Sequence, residues 1–361
     1  MDNIQVYLLT CQPHDEVYSL YGHTAIRLKD DNRGIDVAIN WGVFDPTVDF
    51  FPLRFIFGLT DYMMGIVNIQ DFLNEYNYYG SGVYQQHINL TSREKQQFIE
   101  QISINAQPEN VVYRYNFYYD NCTTRARDVI ENSINGTVDY NINAQKSDKV
   151  SFRKLIHEKN EQHPWARFGN DILLGVGSDK NATIDEQEFI PDVLQGHYSN
   201  AIITRNNENS IPLVDEEGWI LKPGTPWHPD TKSFPLTPTQ CALIYLCVIL
   251  ALLVYQRITK KDRPWLEYII LLPYGITGII LFAMLFSKHP TVNVNLQIFI
   301  SNIFMLYFTF PKTRFKYRWH TVMALCTLFF LGNAIQSYAE GINIMALALS
   351  IVSIRHISRK N

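Results

Sequence analysis

Tyr118-Tyr-Asp-Asn-Cys-Thr-Thr-Arg-Ala-Arg-Asp128 is the stretch on which the reading of this chain turns. Upstream of it Val111–Tyr119 is an aromatic, strand-like run. Downstream, Asn121–Ser133 has helical character, with Ala126, Val129 and Ile130 on one side. Cys122 thus stands where a strand gives way to a helix. A thiol in the first turn of a helix feels the positive end of the macrodipole and nearby N–H groups, and both enrich the thiolate. Backbone N–H groups at this helix start, around Asn121, Cys122 and Thr123, are candidate oxyanion donors. Arg125 and Arg127 are candidates to hold an anionic headgroup or to tune the thiolate; solvated helix-face charges are the plainer alternative.

A nucleophilic cysteine needs a base, and the candidate lies far upstream. In Tyr18-Ser-Leu-Tyr-Gly-His-Thr-Ala-Ile-Arg27, His23 opens a strand behind a glycine that lets other groups approach closely. Val6–Thr10 and Ala25–Lys29 read as strands, Asp30-Asp-Asn-Arg-Gly34 as a turn, and Ile35–Trp41 as the returning strand. With that turn near Asn32, His23 falls opposite Asn40 to Gly42. Asn40 is then placed to accept the imidazole N–H and fix its tautomer, while Asp36 lies farther along. Two plainer readings stand beside this one. Cys11 and Cys122 can form a structural disulfide in an oxidising compartment, and His23 can be a structural strand-start residue. His14, His23, His87, Cys11 and Cys122 show no CxxC or HExxH spacing, so neither a metal nor a cofactor is expected.

The rest of the outer region is read more coarsely. Asp71–Tyr79 and Ser92–Ile104 are expected helices, Gly136–Asn160 a polar, loop-rich segment, and Ile203–Pro238 a proline-containing approach to the membrane. Phe50–Val67, rich in Phe, Leu and Met, reads either as ordinary core or as a lipid-facing surface that binds acyl chains.

From Thr239 onward the composition changes. Among 361 residues, 47% apolar, the net charge of −4 averages two unlike regions. Residues 1–238 hold 19 Lys+Arg against 32 Asp+Glu, a net of −13; residues 239–361 hold 12 against 3, a net of +9. This apolar content excludes a largely disordered chain, and the split excludes a nucleic-acid binder with a uniform basic face. Five apolar stretches, Cys241–Tyr255, Trp265–Phe286, Leu296–Phe310, Val322–Tyr338 and Ile342–Ile354, read as membrane spans, the last being the shortest. Cys241, Cys247 and Cys326 fall within them as small buried side chains.

The connections supply a second signal. Arg257, Lys260, Lys261 and Arg263 follow span one, Lys288 span two, and Lys312, Arg314, Lys316 and Arg318 span three. No basic residue follows span four, and Arg355, Arg359 and Lys360 follow span five. That alternation predicts a cytoplasmic C-terminus and an extracytoplasmic domain over residues 1–238, with a five-span domain over 239–361. Export of such a domain calls for a signal sequence. Met1-Asp-Asn-Ile-Gln5 has no basic region followed by an apolar one, so a precursor carrying one is expected.

Val6-Tyr-Leu-Leu-Thr-Cys11, the Gly-His motif, Asn40-Trp-Gly-Val-Phe-Asp45, the Asp-Asn-Cys-Thr-Thr-Arg motif and Trp165-Ala-Arg-Phe-Gly-Asn-Asp-Ile-Leu-Leu-Gly175 together resemble the Lnb family, the Bacteroidetes-type lipoprotein N-acyltransferases. The likeness covers most of residues 5–200, and the five-span tail is similar to the family's membrane domain. The resemblance implies an α+β class: a circularly permuted, NlpC-type papain-like periplasmic domain, with His before Cys in the chain, followed by an all-α domain of five transmembrane helices.

It further implies Cys122 as nucleophile and His23 as general base. The implied reaction moves an acyl chain from a membrane phospholipid to the N-terminal cysteine of a diacylated lipoprotein, at the bacterial inner membrane. Two rival functions remain at this level. One is a membrane-tethered cysteine peptidase or amidase acting on cell-wall peptides. The other is a non-catalytic lipoprotein-binding or sorting module.

Overall fold

A computed structural model of the chain describes residues 1–14, 16, 19–44, 47–142, 149–205, 209–226, 234–261, 265–309 and 315–358. Tyr18, Asp45, Arg263, Lys312, Arg314, Arg359 and Lys360 lie outside the described residues. The chain divides into two units. The first comprises Met1–Val150 with Asn181–Thr231, and the second Ser151–Lys180 with Lys232–Asn361. The division differs from the expected boundary at residue 238. Residues 151–180 interrupt the first unit and pack within the second.

The first unit is built on a seven-stranded antiparallel sheet. Its strands are β1 (Ile4–Cys11), β2 (His23–Asp30), β3 (Ile35–Val43), β4 (Asp61–Asn68), β5 (Val83–Ile88), β6 (Val112–Arg114) and an edge strand from much later in the chain, in the order edge-β5-β1-β2-β3-β4-β6. Helices α1 (Phe51–Ile56), α2 (Ile69–Tyr78), α3 (Ser92–Asn105) and α4 (Cys122–Glu131) are interleaved with these strands. β1 explains why the sheet is central. Val6 and Leu8 face a core shared with Phe98 and Ile102 of α3 and Ala126, Val129 and Ile130 of α4. Tyr7, Leu9 and Cys11 face the opposite core, against Ile69, Phe72 and Tyr76 of α2. A strand covered on both faces has no reason to alternate apolar with polar residues, and Val6–Leu9 does not.

One expectation is corrected and another refined. Gly136–Asn160, expected to be loop-rich, carries β7 (Thr137–Asp139) and α5 (Phe152–Lys159), the latter in the second unit. After α6 (Pro164–Leu173), α7 (Ile184–Gln187) and α8 (Pro191–Asn200), the segment read as an approach to the membrane supplies β8 (Ile202–Thr204), β9 (Ile211–Pro212) and β10 (Val214–Leu221). β7, β8 and β9 form a small sheet of their own, and β10 is the edge strand that pairs with β5. Asp215, Glu216 and Glu217 on β10 disguise it as a loop in sequence. Charges on an edge strand discourage pairing with other chains.

The second unit is helical: α5 and α6, then α9 (Pro238–Thr259), α10 (Trp265–Met284), α11 (Phe304–Thr309), α12 (Arg318–Gly332) and α13 (Ile342–Ser358). Among the described residues two of these, α9 and α10, are single helices long and apolar enough to cross a membrane. The third expected span is broken into a 3-10 turn, Leu296–Phe299, and α11. Asn302 is the reason: its amide nitrogen donates to Ile298 O at 3.2 Å and Phe299 O at 3.0 Å, and its oxygen accepts from Phe304 N at 3.1 Å. A side chain that satisfies three backbone groups ends one helix and starts another.

Polar side chains also hold residues 171–176 within this unit. Asn295 donates to Ile172 O at 2.8 Å, Gln297 to Asp171 O at 2.7 Å and Gln336 to Leu174 O at 3.1 Å. Arg153 completes the arrangement, 2.6 Å from Asp171 and 2.9 Å from Asp179.

Candidate active site

His23 is the first residue of β2, and Cys122 the first of α4. α4 lies on β2 and β3 through Ala126, Val129 and Ile130, which bury against Ile26, Ile39 and Trp41. That packing brings the start of the helix over the start of the strand. Gly22, just before His23, has φ +76°, and a Cβ there would sit 2.8 Å from Cys11 O, so no larger residue fits the turn into β2.

The helix start is fixed by Asn121. Its side-chain oxygen accepts from the N–H groups of Thr123 and Thr124, both at 2.9 Å, and Thr124 Oγ1 accepts from Asn121 N at 2.9 Å. The Asn121 amide nitrogen donates to Phe117 O at 3.0 Å and Phe189 O at 2.8 Å. Asn121 is therefore wholly committed to holding the loop and helix together. The Thr123 N–H, expected to serve an oxyanion, is also taken. The Cys122 N–H is left out of this capping. The Thr123 hydroxyl lies 3.8 Å from the Cys122 sulfur and accepts from the Thr24 hydroxyl at 3.1 Å.

Burial alone would raise the Cys122 thiol. The charge of the His23 imidazolium and its hydrogen bond to the sulfur outweigh that, helped by the Thr24 backbone N–H and the Thr123 hydroxyl, and the thiol is pulled down to about 7. For His23 burial works against the charged ring, but the facing thiolate wins and the imidazole is raised. The two groups form a hydrogen-bonded pair in which each favours the charged form of the other. Cys11 is the contrast: a free buried thiol that burial pushes far up, while Cys122 is free and half-buried. No disulfide joins the two.

The third member differs from expectation. Ala25 pairs with Asn40, and the same register brings His23 opposite Gly42, but the Asn40 side-chain oxygen accepts from Gly42 N at 3.0 Å. Among the described residues no hydrogen bond joins Asn40 to His23. A bond to the amide two residues on is made inside the strand, at no cost of long-range alignment. Asn40 thereby fixes Gly42, and Gly42 is what the ring touches: a Cβ there would lie 2.6 Å from His23 Cε1.

Both arginines are engaged elsewhere. Arg125 makes two bonds to Asp120, at 2.5 and 3.0 Å, with its guanidinium 3.7 Å from the centre of the Tyr113 ring. Arg127 binds Asp128 at 2.7 Å, Glu188 at 3.1 Å and Asp185 O at 2.9 Å. They brace the loop before α4 and the segment leading to α8. Among the described residues no group of three or more His, Cys, Asp or Glu is arranged to hold a metal.

Sequence reasoning missed four contributors. Thr24 follows His23 directly and was visible in the same motif. Tyr62, Tyr113 and Tyr115 were not, because they come from β4, β6 and the loop after it. Burial raises all three phenols, and the nearby Cys122 charge raises them further. The rings pack together, Tyr62 stacked on Tyr115 at 4.3 Å and edge-on to Tyr113 at 6.4 Å, and Tyr113 lies 3.7 Å from the Arg125 guanidinium, so the cluster abuts the helix that Cys122 begins.

Two family models match the chain: the Lnb N-terminal periplasmic domain over residues 1–158, and the Lnb transmembrane domain over residues 230–361. No curated protein and no solved structure matches.

Proposed function

Since the chain belongs to the Lnb family and carries both its periplasmic and its transmembrane domain, we propose that it is a lipoprotein N-acyltransferase working through a Cys122 thioester. The observation that carries this reading is the Cys122–His23 pair, with its thiol at about 7 at the start of α4. A thiolate present at neutral pH is both a competent nucleophile and, from a thioester, a good leaving group.

In the first half-reaction Cys122 Sγ attacks the ester carbonyl of a membrane phospholipid. The C–S bond forms, the ester C–O bond breaks, and the His23 imidazolium gives its proton to the departing glycerol oxygen. The products are a lysophospholipid and an acyl-enzyme. In the second, the α-amine of a diacylated lipoprotein's N-terminal cysteine loses its proton to neutral His23 and attacks the thioester. The C–N bond forms, the C–S bond breaks, and the thiolate–imidazolium pair is restored. The Cys122 N–H, at the positive end of α4 and outside the Asn121 cap, would donate to the developing oxyanion.

The papain-like relationship, with the histidine strand preceding the cysteine helix, belongs to this proposal. So do the inner-membrane location, the cytoplasmic C-terminus and the five spans. In cells relying on this protein, Cys122→Ser is expected to leave lipoprotein N-termini diacylated, and Cys11→Ser to leave them triacylated, by mass spectrometry of N-terminal peptides. Triacylation persisting in Cys122→Ser would reject the mechanism.

A further inference from the structure

The segment Phe50–Val67 answers neither to core nor to a soluble surface. Phe50 is 74% exposed, Leu53 51% and Ile66 50%, with Phe55, Leu59 and Met63 also exposed. Phe50 moreover takes φ +59°, a left-handed conformation that a bulky residue adopts only under constraint. Arg54 is the only charged residue from Phe50 to Thr60, and it too is exposed. An apolar helix edge with one arginine is the composition of a surface lying at a lipid–water boundary, hydrocarbon on one side and phosphate on the other.

A chain of aromatic contacts links this surface to the helix that Cys122 begins. Phe55 of α1 stacks on Tyr115 at 5.9 Å, Tyr115 on Tyr62 at 4.3 Å, Tyr62 on Phe44 at 5.0 Å, and Phe44 on Phe51 of α1 at 5.1 Å. Tyr62 in turn meets Tyr113 at 6.4 Å, and Tyr113 lies 3.7 Å from the guanidinium of Arg125, three residues after Cys122 on α4. A row of aromatic faces thus runs from the helix that Cys122 begins to the exposed edge of α1, with both ends on one unit. Residues 230–361 match the Lnb transmembrane domain, so the chain tethers the first unit to a bilayer.

We propose that α1 and the start of β4 dip into the acyl region of the bilayer, and that the Phe55–Tyr115–Tyr62 row guides the acyl chain of the donor lipid to Cys122. The occupant is membrane phospholipid, with its phosphate at Arg54. The proposal rests on the acyl-transfer reading and names where its donor enters.

Two measurements on the full chain in phosphatidylethanolamine vesicles test it. In the first, Cys122→Ala protein is irradiated with a phospholipid bearing a diazirine on its acyl chain, and labelled peptides are mapped. Label within residues 50–67 is expected; label confined to residues 238–358 would overturn the proposal whether or not Cys122 of the parent protein is acylated. In the second, the double variant Phe50→Ser, Leu53→Ser is compared with the parent. Both side chains are exposed, so the fold tolerates the change. Its phospholipid-derived adduct on Cys122 should fall at least roughly tenfold, while its reaction with p-nitrophenyl acetate, a short soluble ester, stays unchanged. Equal loss with both donors, or loss with neither, would contradict the proposal. Label at 50–67 in a protein whose Cys122 never takes an acyl group would keep the lipid contact and sink the acyl-transfer reading alone.

Discussion

The His23 ring rests on the Gly42 backbone with no room to spare: a methyl at Gly42 would come within 2.6 Å of Cε1. The ring is the part able to yield, so Gly42→Ala displaces the imidazole while leaving β3 paired. A misplacement of about 1 Å in a catalytic group costs on the order of a hundredfold in rate. Adduct formation by Gly42→Ala should drop by that order with an unchanged melting temperature. Full activity in this variant would show that His23 needs no such seat.

The thiol at about 7 makes reactivity pH-dependent in a stated direction. Alkylation of Cys122 by iodoacetamide should rise through neutral pH and level off above it. One unit below the midpoint only about a tenth of the sulfur is thiolate. The midpoint belongs to the Cys122–His23 pair rather than to either group. In His23→Ala burial stands unopposed by the imidazolium, and the midpoint should move above the ordinary thiol value of about 8.5. Cys11, buried and pushed up, should stay unmodified throughout. Mass mapping of the alkylated peptides reads both.

Glu94 anchors the start of α3 from inside the unit. Its oxygens accept from Arg205 at 2.6 and 2.9 Å, from Thr91 N at 2.8 Å and from Asn135 N at 2.8 Å. Burial alone would raise this carboxyl, yet these bonds hold it at about 2. A carboxyl depressed in the folded state adds stability above its unfolded value, and that stability is lost as pH falls from about 4.3 toward 2. Acid unfolding of the parent should therefore steepen across that window. Arg205→Ala leaves the carboxylate buried without its cation, at a cost of about 3–5 kcal/mol. Thermal unfolding at neutral pH would show it, and an unchanged melting temperature would refute it.

In the second unit, Gly175 N donates to Thr291 O at 2.9 Å and Val176 N to Val294 O at 2.8 Å. A Cβ on Gly175 would collide with Val294 O, a backbone atom that cannot step aside. Gly175→Ala should break this pairing, and hydrogen exchange at Val176 should accelerate while exchange in β1 and β2 stays as in the parent. Protection retained at Val176 would count against the packing described for residues 151–180.

How much of this the sequence could tell depends on the range of the interaction. The β2–β3 register was readable because a short turn, Asp30–Gly34, ties the two strands. The helix expected over Ser92–Ile104 was readable because its signals are local; α3 spans Ser92–Asn105 and its Thr91–Glu94 capping box closes within four residues. Asn40 was misjudged: the strand position was right, but a local bond to Gly42 N took the side chain. β10 was missed because its acidic residues hide a strand that pairs with β5, far away in the chain. The place of residues 151–180 was equally hidden, since Asn295, Gln297 and Gln336 meet backbone carbonyls whose partners no local pattern announces. For Phe50–Val67 the sequence offered two readings, and the exposure of Phe50, Leu53 and Ile66 favours the lipid-facing one.

Intact-protein mass spectrometry of the full chain after incubation with phospholipid vesicles, before any lipoprotein is added, tests the central claim most directly. A mass increase of one fatty acyl group, mapped to Cys122, released by hydroxylamine and absent from Cys122→Ser, is the predicted result. An acyl group carried on another residue, or a Cys122 that stays unmodified while lipoproteins in the same vesicles become N-acylated, would contradict it.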